Sequence, residues 1–101
     1  MKAIIVIYTN MKLTSSKEIG AMKKYTFNTE ADVKEGDMIA SPNYSTTMQV
    51  VKILDKPYAY YNKVTGDLSD EYTSTNQWKI VTLVVAPKVT DAIYGIVLSQ
   101  N

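Results

Sequence analysis

Hydrophobic and polar positions divide the chain into runs that are apolar on both faces and runs that alternate. Ala3 to Tyr8 (Ala-Ile-Ile-Val-Ile-Tyr) is short, continuous and β-branched, the pattern of a strand covered on both sides. Lys24 to Asn28 alternates, with Tyr25 and Phe27 pointing one way and Thr26 and Asn28 the other, which predicts a half-buried strand. Met38-Ile39-Ala40 and Thr46 to Leu54 follow as strands, separated by the breaker Ser41-Pro42-Asn43 and stopped by Asp55-Lys56-Pro57. Tyr58-Ala59-Tyr60-Tyr61 is a fifth strand, and Thr65-Gly66-Asp67 signals a turn after it. Leu68 to Asn76 is polar and reads as a mobile loop. Gln77 to Ala86 reads as one long strand, with Gln77 and Lys79 facing water, Trp78 and Ile80 facing in, and both faces apolar from Ile80 to the stop at Pro87. Ala92 to Leu98 is a last apolar run, with Gly95 as a bulge signal.

Helix has little room. Ser15-x-x-Glu18 has capping-box form and predicts one or two turns through Lys23, weakened by Gly20; an ordered loop is the alternative. Between the second and third strands, Gly36 is expected to supply a positive φ for the turn into Met38. The sum is about seven strands at a spacing of roughly ten residues, with at most one short helix. The expected fold is mainly β, a small barrel or sandwich, with residues 1–101 as a single β-rich domain.

Three runs (Ala3 to Tyr8, Ile80 to Ala86, Ala92 to Leu98) ask for cover on both faces, and a small barrel has one interior. The segment from Thr14 to Lys23 is long enough to cover one of them. A homo-oligomer is therefore expected.

Composition removes several chemistries. The chain has 101 residues with no cysteine and no histidine, so disulfides, thiolate chemistry, the usual general base and the commonest metal ligand are absent. Its eleven cations are all lysine against ten anions, a net charge of +1. Without arginine, bidentate reading of phosphates and guanine edges is lost, and a near-neutral total gives no field for a polyanion. Nucleic acid is therefore not the expected partner. The apolar run at Ala3 to Tyr8 is too short for a signal core, and nothing approaches the roughly twenty residues of a membrane span. No membrane association is expected, and the cytoplasm is the expected location.

Chemistry-bearing clusters are few. Glu30, Asp32, Glu35 and Asp37 gather around a turn with a spacing that fits no calcium loop, and read as solvated turn charges. Asp67, Asp70 and Glu71 read the same way. No serine or threonine has a nucleophile elbow or a base partner, and the isolated glycines build no phosphate loop. We expect neither enzyme activity, nor a metal, nor a cofactor. Lys12, Lys17, Lys23 and Lys24 form a modest basic group that suits phosphate or a solvated strand edge.

Tyrosine is the informative residue, eight of them against one phenylalanine and one tryptophan. It fills half-buried sheet, but it also gives contact area at low entropy cost and stacks on bases. Tyr58, Tyr60 and Tyr61 crowd beside a polar loop, so the candidate binding residues are Tyr58, Tyr60, Tyr61, Lys63, Asp70, Glu71 and Tyr72.

At Tyr25-Thr26-Phe27-Asn28-Thr29, Asp32-Val33-Lys34-Glu35-Gly36-Asp37-Met38-Ile39 and Gln49-Val50-Val51-Lys52-Ile53, the chain resembles a loose group of small proteins common in bacteriophages and mobile elements. Their pattern is a Tyr-x-Phe strand, a Val-Lys-x-Gly-Asp turn and a Val-rich strand, and many begin near the position of Met22. The resemblance implies an SH3-like or related barrel opening and a phage-type accessory protein; it implies no chemistry. The chain before Met22 and after Asp55 departs from the pattern. The leading expectation is thus a non-enzymatic accessory protein that binds and occludes a host protein, a defence or replication factor, in the host cytoplasm. The alternatives are an oligomeric sponge for a small nucleotide signal, a single-stranded nucleic-acid-binding barrel, and a virion or assembly component.

Overall fold

The computed structural model describes residues 1–43, 45–71, 77–91 and 96–97. It is mostly β, with one short helix. Five strands form a curled sheet: β1 (Lys2–Tyr8), β2 (Tyr25–Thr29), β3 (Met38–Ala40), β4 (Thr47–Ile53) and β8 (Thr82–Val84). Their order is β3-β4-β1-β2-β8, antiparallel except that β8 runs parallel to β2. A second sheet has β5 (Tyr60–Asn62) between β6 (Leu68–Ser69) and β7 (Trp78–Ile80). A two-stranded ribbon joins β9 (Val89–Asp91) to β10 (Ile96–Val97). The five-stranded sheet is a half-barrel whose ends are drawn together past β8. There Ile39 bridges Lys88, and the Ala40 N–H donates to the Pro87 carbonyl at 2.9 Å.

The core lies in the hollow of this sheet. Ile4 and Val6 of β1, Ile39 of β3, and Met48 and Val50 of β4 are wholly buried, with Tyr25 and Phe27 of β2 packed against them. Each fully buried aliphatic side chain contributes about 1.5–3 kcal/mol. The alternation of β2 is as the pattern predicts, and Thr29 at its end is also buried. Its hydroxyl donates to the Val84 carbonyl at 2.9 Å, tying β2 to β8. Gly36 does adopt a positive φ of 91°. Its N–H donates to the Val50 carbonyl, and the Lys34 N–H donates to Asp37 Oδ2.

The helix α1 (Ser16–Ala21) is present, with the Ser15 Oγ accepting from the Glu18 N–H. It stops at Ala21 rather than Lys23. The Lys24 ammonium folds back onto its last turn, donating to the carbonyls of Ile19, Gly20 and Met22.

The long strand expected over Gln77 to Ala86 is two strands, and this is the main correction. The chain turns at Val81, whose N–H donates to the Ala59 carbonyl. β7 thus belongs to the small sheet and β8 to the large one; this split and the short strands β6 and β9 give ten strands among the described residues, within the small mainly-β fold expected. Ile80, expected inside, is 72 % exposed, and Leu83 and Val85 are exposed too. Leu68–Ser69, expected in a loop, pairs with β5. Of the apolar run Ala92 to Leu98 only Ile96–Val97 is described; Gly95 and the loop residues Tyr72 to Asn76 lie outside the described residues.

Cover for the second face of β1 comes from the chain itself, through two carboxamides. Gln49 stands opposite Ile7 in the β1–β4 register. It is buried, and it accepts from the Leu13 N–H at 2.7 Å while donating to the Leu13 carbonyl at 2.8 Å. Asn28 stands opposite Ala3 in the β1–β2 register. It donates to the Tyr58 carbonyl at 2.7 Å and accepts from the Tyr58 N–H at 3.2 Å. The chain leaves β4 beside Ala3, where the Ala3 N–H donates to the Lys56 carbonyl, and crosses to Asn28. Ala3 and Ile7 are wholly buried under these two crossings. Ile5, between them, is only half-buried.

Candidate functional site

The opening left at Ile5 is the floor of a groove. Ile5 and Thr26 are cross-strand neighbours on the outer face of β1 and β2. One wall is Lys23, Lys24 and Tyr25; the other is Tyr61 and Lys79 of the small sheet, with the turn from Lys63 to Gly66. The cavity measures about 660 Å³. Among the described residues no carboxylate lines it, whereas four lysines do.

Local chemistry explains the turn. Asn62 is buried and its Oδ1 accepts from the N–H groups of both Val64 and Thr65, while its carbonyl accepts from the Gly66 N–H. Gly66 has a φ of 80°, a conformation glycine adopts without strain. The turn is therefore rigid, and its amides are already bonded. Lys63 and Lys79 project from it and from β7, both exposed. Neither takes part in the ion pairs found among the described residues, Lys56 with Asp70 and Lys88 with Asp37.

Register divides the expected binding residues between two faces. Tyr61 pairs with Lys79 and Leu68, so these share the groove face. Tyr60 pairs with Ile80 and Ser69, and Asn62 with Trp78, so these share the opposite face. Among the described residues that opposite face carries an exposed isoleucine, a half-buried tryptophan and a half-buried tyrosine, and its paired positions hold no ionised side chain. Tyr58 is set apart on the strap held by Asn28, with the Lys56 ammonium 4.4 Å above its ring.

Asp70 and Glu71 sit beyond β6. Lys56 hydrogen-bonds Asp70 at 2.6 Å, which holds the Asp70 carboxyl below the usual carboxylate range and the Lys56 ammonium above its ordinary value. Asp70 also accepts from the Ala59 N–H at 3.3 Å. Its role is to pin the small sheet to the strap. Glu71 donates its N–H to the Ser69 Oγ and is exposed. Tyr72 lies outside the described residues.

A second tyrosine group lies at the end of the groove. The rings of Tyr8 and Tyr25 are 4.8 Å apart and tilted by 48°, and the Lys23 ammonium is 5.3 Å from the Tyr25 ring. Burial pushes the Tyr8 phenol above its ordinary value, and the neighbouring Tyr25 and Tyr61 phenols push the same way.

The acidic turn is held by the fold. Asp37 accepts within its own turn and meets the Lys88 ammonium at 3.6 Å. Among the described residues no three acidic side chains gather closely enough to hold a metal ion, and no helix is long and apolar enough to cross a membrane.

Lys23, Lys79 and Ile80 are the residues the sequence did not single out for these faces. Lys23 and Lys24 were visible as a basic group. Their meeting with Lys63 and Lys79 depends on non-local pairing of the small sheet. Fold and site together define a small, mostly-β protein with a curled sheet, a basic groove and an uncharged aromatic face. Compared with known proteins, the chain matches no family model, no curated protein and no solved structure.

Proposed function

We propose that the protein is a non-catalytic accessory protein of the bacteriophage type that binds a host protein in the host cytoplasm and occludes it. One observation carries the reading. Ile80, 72 % exposed, stands across from Tyr60 with Trp78 two residues away on the same face. Aromatic and aliphatic groups gathered outside the core are what protein interfaces are built around, with charged groups kept from the centre. The partner is therefore a protein that offers an apolar, uncharged patch. The resemblance of Tyr25 to Ile53 to small phage proteins supports the accessory role.

The test is affinity capture from host lysate with wild-type protein, Tyr60→Ala and Ile80→Asp, each checked by circular dichroism. The reading expects a captured host protein that both folded variants lose. Capture that survives both substitutions removes the site.

The same reading makes the protein a homo-oligomer. Leu83 is 59 % and Val85 71 % exposed on and beside β8, the end strand of the large sheet. A second copy is the cover proposed for them. Light scattering expects a multiple of 11.3 kDa for the wild type and a monomer for Leu83→Asp/Val85→Asp; a wild-type monomer refutes the oligomer.

A further inference from the structure

The basic groove lies across the small sheet from the Tyr60–Ile80 face, so a partner on that face leaves the groove unexplained. We propose that the groove binds a nucleotide, with its phosphates between Lys63, Lys79 and Lys23 and its base against Tyr61.

Charge is the first argument. Four ammonium groups line one concavity with no carboxylate among the lining residues. Gathering like charges costs free energy unless an anion is present to offset it. Among the described residues the carboxylates in ion pairs are held by other lysines, Asp70 by Lys56 and Asp37 by Lys88; Asp67, exposed and next in sequence to Gly66, lies outside the lining. Lys24 serves a different end. Its ammonium sits on the carbonyls that close α1, which cancels the negative end of the helix beside the groove. Lys63 and Lys79 then remain as the hydrogen-bond donors for an incoming anion, with Lys23 above the Tyr25 ring at the rim.

Shape is the second argument. A cavity of about 660 Å³ falls within the roughly 300–1,000 Å³ of small-ligand sites. Ile5 gives it an apolar floor, and Tyr61 stands beside Lys79 on the same face of the small sheet. An aromatic ring next to paired ammonium groups matches a base joined to phosphates, since stacking and charge are then used together. The amides of the turn are already taken, that of Lys63 by the Gln77 carbonyl and those of Val64, Thr65 and Gly66 by Asn62, so ammonium groups must hold the phosphates. Binding should therefore weaken with salt. A net charge of +1 offers little to a long polyanion, which favours a free nucleotide over a nucleic-acid strand.

The experiment is titration calorimetry at low salt with ATP, inorganic triphosphate and an eight-residue oligothymidylate. The proteins are wild type, Lys63→Gln/Lys79→Gln and Tyr61→Leu, each checked by circular dichroism. Both lysines are exposed, so the double variant should fold. ATP should bind the wild type and raise its melting temperature. The lysine double variant should lose at least tenfold in affinity for ATP and for triphosphate alike. Tyr61→Leu should lose several-fold for ATP and nothing for triphosphate. Tyr60→Ala, across the sheet, should bind ATP as the wild type does. No ATP binding to the wild type, an unchanged affinity in the lysine variant, or tighter binding of the oligonucleotide than of ATP would each overturn the proposal.

Discussion

Replacing Asn28 by alanine tests whether one carboxamide holds the small sheet against the large one. Asn28 makes two hydrogen bonds to Tyr58, at 2.7 and 3.2 Å, and is itself buried. Each bond contributes about 1 kcal/mol net, and a backbone group left buried without a partner costs about 1–3 kcal/mol. Tyr58 is half-buried, so its freed N–H and carbonyl can reach water and the lower end of that range applies. The expected loss is about 2 kcal/mol. For a chain of 101 residues this lowers the melting temperature by about 8–16 °C, at about 4–8 °C per kcal/mol. The assay is thermal unfolding followed by circular dichroism, with amide exchange at Val81, whose N–H donates to the Ala59 carbonyl, and at Ala59, whose N–H donates to Asp70. Exchange there should quicken more than at Ile4 in the core. Asn28→Asp sharpens the test: its carboxylate keeps the acceptor for the Tyr58 N–H but turns a negative oxygen toward the Tyr58 carbonyl. It should be worse than alanine at neutral pH and recover as acid protonates it. A melting temperature for Asn28→Ala within about 2 °C of wild type would refute the latch.

Gln49→Ala removes the matching latch on Leu13 and should cost about 2 kcal/mol by the same reasoning, read as a fall in melting temperature. Gly36→Ala should cost about 1–2 kcal/mol in urea unfolding, because alanine is strained at a φ of 91°. The atoms its methyl would meet are only the movable end of Lys12, so crowding adds little. The Lys56–Asp70 pair gives a pH signature. Asp70 is held low, so its contribution is present above the usual carboxylate range and fades as pH falls through the lowered folded value. Lys56 is held high, so its contribution is present below the usual lysine value and is lost as pH rises through the raised one. The difference in melting temperature between wild type and Asp70→Asn should thus be greatest near neutral pH, small even there, and absent in strong acid, strong alkali or high salt.

Strands β1 to β4 of the large sheet were legible because their signals are local; β8, read as one strand with β7, was not. Tyr25 and Phe27 alternate with Thr26 and Asn28, Gly36 supplies the turn, and Ser41-Pro42 ends β3, each within a few residues of the effect it causes. The second face of β1 was legible as a need, since Ala3 and Ile7 ask for cover, but its supplier was not. The cover is two backbone segments fixed by buried carboxamides; Asn28 reads only as facing away from Tyr25 and Phe27, and Gln49 only as one residue of the strand Thr46 to Leu54, until the strap that each holds is known. Periodicity reports which way a side chain points; it does not report what comes to meet it.

The small sheet was legible as a place and not as a surface. Three tyrosines beside a polar turn marked Tyr58 to Lys63. A strand of three residues takes its meaning from its partners, and β7 was hidden inside a longer apolar run. The break at Val81 is a tertiary event: its N–H leaves the run to meet the Ala59 carbonyl, far away in sequence. The bond extends the β5–β7 ladder, whose register sets Ile80 opposite Tyr60 and Lys79 opposite Tyr61. Trp78 and Ile80, which read as core, thus form an apolar surface, and Lys79, which reads as facing water, joins a basic one. The two proposals divide these faces between them, a protein on the aromatic side and a nucleotide on the lysine side. Independent loss of one by Tyr60→Ala and of the other by Lys63→Gln/Lys79→Gln is the behaviour that such a division requires.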